Sequence, residues 1–350
     1  MQAAMSKTDR VSAALRGEEV DRVPVSAWWH DFLREWSPQG LAQATLEAYR
    51  KYDWDFIKVN PRASYYAEDW GARFRPSGRP DRQPELVEPA VKSAEDLRRI
   101  RPLDAAQGAY GEQLAALAII ARGLAGEAPF IQTVFSPLAV MSRLTGSSKY
   151  VQRLMADHPD DLLDALDAVA GTLRAYARAC VEVGASGIFF ATVEWGSADN
   201  ISPDDYDRFA RPFDLRVLEA VRDAPFNVLH VCRDNNHLAR LLDYPVSAFH
   251  WAAHSASSAK GRSASGGNPS LSDIAARTDR AVMGGVSHDS TMTSGSPADV
   301  VAEARRAIQQ ACPERSKGAG GRRFLLAPGC SIDPQTPEAN LRALVEAARS

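Results

Sequence analysis

Three residues in this chain have the type and spacing to hold a metal ion. His230 and Cys232 lie two apart in "NVLHVCRDNNH", and Cys330 ends "FLLAPGC". In a strand, residues i and i+2 point to the same side, so His230 and Cys232 can aim at one point. A helix would turn them about 200° apart, at roughly 100° per residue. Two thiolates and an imidazole are a zinc donor set, with the fourth tetrahedral position left to water, to substrate or to a carboxylate such as Glu194. A buried cysteine is more often a small core hydrophobe. Cys180, in the helical run "YARACVEVGAS", reads that way, and Cys312 at a helix end reads as structural or exposed. The His-x-Cys pair therefore becomes a site only if the fold brings Cys330 to it.

Eight apolar, β-branched runs can do this positioning. They are Arg22 to Trp29, Phe56 to Pro61, Phe130 to Pro137, Gly187 to Trp195, Phe226 to Cys232, Ala248 to Ala253, Ala281 to Ser287 and Phe324 to Cys330. Several are continuous rather than alternating, as in parallel strands buried on both faces. Helical patterns separate them. "LAQATLEAYRKYD" follows the first run, "NLRALVEAARS" the last, and "SPDDYDRFARPFDLRVLEAVRD" the fourth, with Ser202 as N-cap and Pro203 in the first turn. Eight strand–helix units predict an α/β chain folded as a (β/α)8 TIM barrel. An open doubly wound sheet is the alternative, but no GxGxxG or GxxxxGK follows any strand. The expected organisation is one barrel domain over 1–350, with an N-terminal extension over about 1–20 and a flexible loop at 254–270, rich in Ser, Gly and Ala.

In such a barrel the chemistry gathers at the C-terminal strand ends. There the sequence places Trp28, His30 and Asp31 after the first run, Asn60 after the second and Glu194 after the fourth. His230 and Cys232 follow on the fifth, Trp251 on the sixth, His288 after the seventh and Cys330 on the eighth. His230, Cys232 and Cys330 are the candidate metal ligands. Glu194, His30 and His288 are candidates for proton handling or substrate orientation, though each would serve equally as a structural hydrogen-bonding group. Trp28, Asp31, Asn60 and Trp251 are candidates for the substrate pocket. His250 and His254 flank "WAA" and read as packing or as site residues, with packing favoured.

A formal net charge of -3 argues against nucleic acid or an anionic membrane as a partner. No run of about 20 apolar residues predicts a membrane span. The opening "MQAAMSKTDR" lacks a secretory core, so the expected compartment is the cytoplasm, and four cysteines make no disulfide framework. The partner chemistry expected is a small molecule, and a homodimer is an allowed assembly.

Four stretches carry a family resemblance: "RVSAALRGEEVDRVPV", "ISPDDYDRFARPF", "VMGGVSHDST" and "FLLAPGCSIDPQTPEANLRALVEAAR". With them the whole chain resembles the uroporphyrinogen decarboxylase superfamily. True decarboxylases of that superfamily carry a basic "RQAGRY"-like stretch after the first strand and an aspartate after the second. Here these positions read "SAWWHDFLREW" and Asn60. The closer likeness is to the corrinoid-dependent methyltransferase branch, similar to methylcobalamin:coenzyme M methyltransferases and O-demethylase components. That resemblance implies Zn2+ on His230, Cys232 and Cys330. It also implies methylcobalamin or another corrinoid carried by a separate partner protein, and methyl transfer to or from a small thiol or methoxylated substrate. The alternatives are a metal-free decarboxylase of the uroporphyrinogen III type, with Arg22, Arg62 and Arg75 as carboxylate partners, and a non-catalytic component that binds a corrinoid protein.

Overall fold

The computed structural model describes residues 4–253, 267–312 and 323–349. His254 and most of the loop expected at 254–270 lie outside the described residues. Seven parallel strands form one sheet: β1 (Ile57–Val59), β4 (Phe130–Phe135), β5 (Gly187–Ala191), β6 (Val228–His230), β7 (Ala248–His250), β8 (Ala281–Val286) and β9 (Phe324–Pro328). Their spatial order is their chain order, and helices cover the outer face. A small antiparallel hairpin, β2 (Arg73–Arg75) with β3 (Glu85–Glu88), stands apart from it.

The expected first strand contributes a single bridge, Val25 to Leu326. Pro24 has no N–H to give a ladder, which shortens the strand. Its carbonyl accepts from Leu326 at 2.8 Å, and Ser26 N donates to the Leu326 carbonyl at 3.2 Å. On the other side Asp55 N donates to the Val25 carbonyl at 2.9 Å, just ahead of β1. This segment is the eighth stave, and the architecture is TIM-barrel-like. Asp55 fixes the join. Its buried carboxylate accepts from Val25 N at 2.9 Å, from Arg10 at 2.7 Å and from Arg22 at 2.5 and 2.8 Å.

Strand alternation sorts the side chains into two layers. Val228, Ala248, Ala281, Met283, Leu325 and Ala327 pack with Trp28 and Phe189 inside the ring. Leu229, Phe249, Trp251, Val282 and Leu326 face the helices. The helix Lys7–Arg16 places Val11 against the interior cluster, so the N-terminal segment packs on the barrel. After β5 the long helical run is two helices, Pro203–Phe209 and Arg211–Glu219. Pro212 lacks the N–H that would continue the first into the second. Ser202 caps the first by accepting from Asp205 N at 3.1 Å.

Candidate metal centre

His230 is the last residue of β6 and faces the ring interior, in register with His250 on β7. Cys232 lies two residues on, where the chain turns sharply: Arg233 has φ 68° and Asn235 φ 50°. Val193, after β5, has φ 53°, a costly value for a β-branched residue. Such strain is of order 1–3 kcal/mol per residue and concentrates at functional sites. Cys330 arrives through Pro328 and Gly329. A Cβ on Gly329 would lie 2.7 Å from the Ala252 Cα, so only glycine lets the chain pass there.

The three donors meet. His230 Nε2 is 2.6 Å from the Cys232 Sγ and 3.6 Å from the Cys330 Sγ. The donor atoms of the three residues all lie within 4.8 Å of one another. With Zn–S near 2.3 Å and Zn–N near 2.1 Å, a tetrahedral S···N edge is about 3.6 Å. The Cys330 edge already has that length, and Cys232 would open by about 1 Å to match it. A soft, two-sulfur, one-nitrogen set with these edges fits zinc and leaves a fourth position.

The two thiols shift each other in opposite directions. A hydrogen bond from Cys232 holds the Cys330 thiol well below its usual range. The same bond and burial push the Cys232 thiol well up. Lys58 projects into the ring from β1 and is only 6% exposed. Its ammonium donates to the Asn60 Oδ1 and lies 4.9 Å from the Phe189 ring centroid. Burial pulls it down to about 7, against the opposing fields of Cys330, Cys232 and Glu35. His250 is fully buried, and burial, then His230, drives its pKa well down.

The remaining expected residues fall at different depths. Trp28 is inside the ring, edge-on to His250 at 5.2 Å and to Phe189 at 5.6 Å. With Trp28, Asn60 and Asp31 line a cavity of about 280 Å³ that also reaches Lys58. His30 Nδ1 contacts the buried Glu35 carboxylate at 2.9 Å. His288 stands near enough to Cys330 to favour its thiolate, and its own Nδ1 is buried without a partner. Glu194 lies in the turn Val193–Gly196, near Tyr66, and is not in the donor cluster. Trp251 is corrected from pocket to packing. It is 0% exposed, faces the helices and donates its indole N–H to the Pro269 carbonyl at 2.8 Å. Arg22 is held by Asp55, Arg62 by Glu68 and Glu112, and Arg75 by Glu85. Lys58 and His250 went unseen as site residues. The inward parity they share with Met283 and Leu325 is the signal that finds them.

Fold and site together define a TIM-barrel-like protein with a thiolate–imidazole cluster at the C-terminal mouth. The chain belongs to the uroporphyrinogen decarboxylase (URO-D) family, whose sequence pattern matches residues 32–350. It is 24% identical over 362 residues to the methylcobamide:CoM methyltransferase MtbA of Methanosarcina acetivorans, covering 98% of this chain and 97% of that protein. It is 24% identical over 211 residues to a uroporphyrinogen decarboxylase of Carboxydothermus hydrogenoformans, covering 59% of this chain and 58% of that one. The solved structure of a methyltransferase from Methanosarcina mazei matches with a TM-score of 0.79 at 26% identity, over 98% of each chain. Among the described residues no helix is long and apolar enough to cross a membrane.

Proposed function

We propose that this protein is a zinc-dependent methyltransferase that moves a methyl group between a corrinoid on a separate protein and a small thiol or methoxylated substrate. The observation that carries the reading is the convergence of His230, Cys232 and Cys330, from the ends of two strands, with donor atoms within 4.8 Å of one another although His230 and Cys330 are 100 residues apart in sequence. The near-full-length likeness to a methylcobamide:CoM methyltransferase supports it. Zinc held there would lower the pKa of an acceptor thiol, as it does for bound water, or polarise a methyl-ether oxygen.

The protein's own groups do the rest. Two thiolates and an incoming acceptor thiolate would build negative charge in a buried place, and the Lys58 ammonium and Arg233 are cations near enough to offset it. Trp28 and Phe189 pack the interior beside it and exclude water. His288, with a free Nδ1 near Cys330, is the candidate to take the proton that an acceptor thiol sheds. His30, oriented by Glu35, and Glu194 are candidates to orient substrate at the rim. A decarboxylase acting on a substrate with many carboxylates needs free cations, and Arg22, Arg62 and Arg75 are each paired with carboxylates already.

The test is metal content on purified protein, then X-ray absorption with and without an added thiol, then methyl transfer from methylcobalamin to that thiol. The expectation is one zinc per chain and one additional sulfur in its shell when thiol is added. Zinc-loaded protein with no metal at these three residues would remove the reading.

A further inference from the structure

We propose that His250 is a positioning residue that fixes the proton of His230 on Nδ1, leaving Nε2 as a bare donor aimed at the two thiols. The inference rests on the reading that the cluster holds a metal. It comes from the accounting of four ring nitrogens. His250 Nε2 is 2.9 Å from the Pro328 carbonyl oxygen. A carbonyl only accepts, so His250 carries its proton on Nε2. The His230 Nδ1 also faces the His250 carbonyl oxygen, which only accepts, so the proton between the two rings belongs to His230 and the His250 Nδ1 keeps a lone pair. That Nδ1 is 2.7 Å from the His230 Nδ1. Two lone pairs cannot face each other at that distance, so His230 must donate from Nδ1.

The competing acceptor for that proton is the His250 carbonyl, 3.3 Å away. It is farther off, and it already accepts from Val231 N at 3.0 Å. The relay is built into the sheet. His230 and His250 are register partners on adjacent parallel strands, with ring centroids 4.6 Å apart. Pro328 ends β9 two residues before Cys330, so one short segment supplies both the end of the relay and a candidate ligand. A metal-bound imidazole commonly donates its second N–H to a carboxylate or a carbonyl. Here a second imidazole takes that part and passes the hydrogen bond on to the backbone.

Two variants and two readouts test this. His250→Leu fills the space but accepts nothing. His250→Asn can place its Oδ1 near the position of Nδ1 and accept from His230. Zinc affinity measured by chelator competition should fall about 10- to 100-fold in His250→Leu and recover most of the way in His250→Asn. Long-range nitrogen–proton NMR on imidazole-labelled, zinc-free parent should show His230 protonated on Nδ1 and His250 on Nε2. The NMR arm needs no metal, so it stands even if the cluster proves not to hold zinc. Parent-like zinc affinity in His250→Leu would overturn the proposal. Equal losses in both variants would assign His250 to packing alone, and an Nε2-protonated His230 in the metal-free parent would also overturn it.

Discussion

Replacing Cys330 by alanine isolates the part of the site that only the fold supplies. His230 and Cys232 share one strand end, and Cys330 is the donor that barrel closure delivers from another. Structural zinc sites with four ligands bind with roughly 10–16 kcal/mol in small peptides, or about 3 kcal/mol for each ligand. Removing one should weaken zinc by about two orders of magnitude. The scaffold should survive, because the large apolar layer under the helices is built without the three donor residues. Cys180→Ala is the matched control. Cys180 is fully buried in the helix Pro159–Glu182, and burial pushes its thiol far above the usual range. Its loss should leave zinc unchanged and remove about 1 kcal/mol of packing. The assay is chelator competition for zinc, with far-UV circular dichroism on the same preparations. Cys330→Ala binding zinc as tightly as the parent, or Cys180→Ala releasing it, would refute the reasoning.

Three other outcomes can be measured. Gly329→Ala should displace the segment carrying Cys330 from Ala252 and weaken zinc without removing a ligand; unchanged affinity would show that the close approach is slack. Asp55→Ala should cost about 3–5 kcal/mol in urea unfolding, since it leaves the buried Arg10 guanidinium short of a partner, with Asp55→Asn between it and the parent. Asp214, fully buried, accepts from Tyr206 at 2.9 Å and Tyr244 at 3.0 Å, yet burial raises its carboxyl from 3.8 to about 7. The folded state therefore binds more protons than the unfolded state between these values, and Asp214 contributes a loss of stability as pH rises through that window. The full window is worth at most about 4 kcal/mol. Asp214→Asn should gain on the parent from about pH 4 to pH 7 and hold a constant difference above it; a difference independent of pH would show that the carboxyl titrates normally.

Much of this was legible in the sequence because strands buried on both faces read as apolar runs. All eight runs lie where staves of the ring lie, and the pairing of Cys330 with His230 follows once the ring closes. What was not legible has particular causes. The first run looked like a full strand, but Pro24 leaves it one bridge at Val25. Trp251 looked like a pocket residue because it ends a strand. Inward and outward faces alternate, and its parity puts it under the helices. Lys58 failed the same way in reverse. A lysine in a strand suggests solvent, and only the inward set of neighbouring strands shows that it faces the ring. His250 reads ambiguously because a histidine between Phe249 and Trp251 carries no sign of its direction.

Part of the cost that the fold carries lies at the same end of the barrel as the cluster. Val193, Arg233 and Asn235 hold positive φ values just beyond β5 and β6. Asn60 Nδ2, Glu35 Oε1 and His288 Nδ1 are buried polar atoms without partners, and each belongs to a residue after β1, in the segment following Val25 or after β8. An unpaired buried polar group costs about 1–3 kcal/mol, and a strained residue about the same. A chain selected for stability alone would remove such groups. Those at the mouth stand around a lysine that burial pulls down to about 7 and two thiols that shift each other in opposite directions, the pattern of a site preorganised for something that binds there. Orphaned donors and acceptors at the rim would then gain their partners from a ligand, as the thiols and His230 would from a metal.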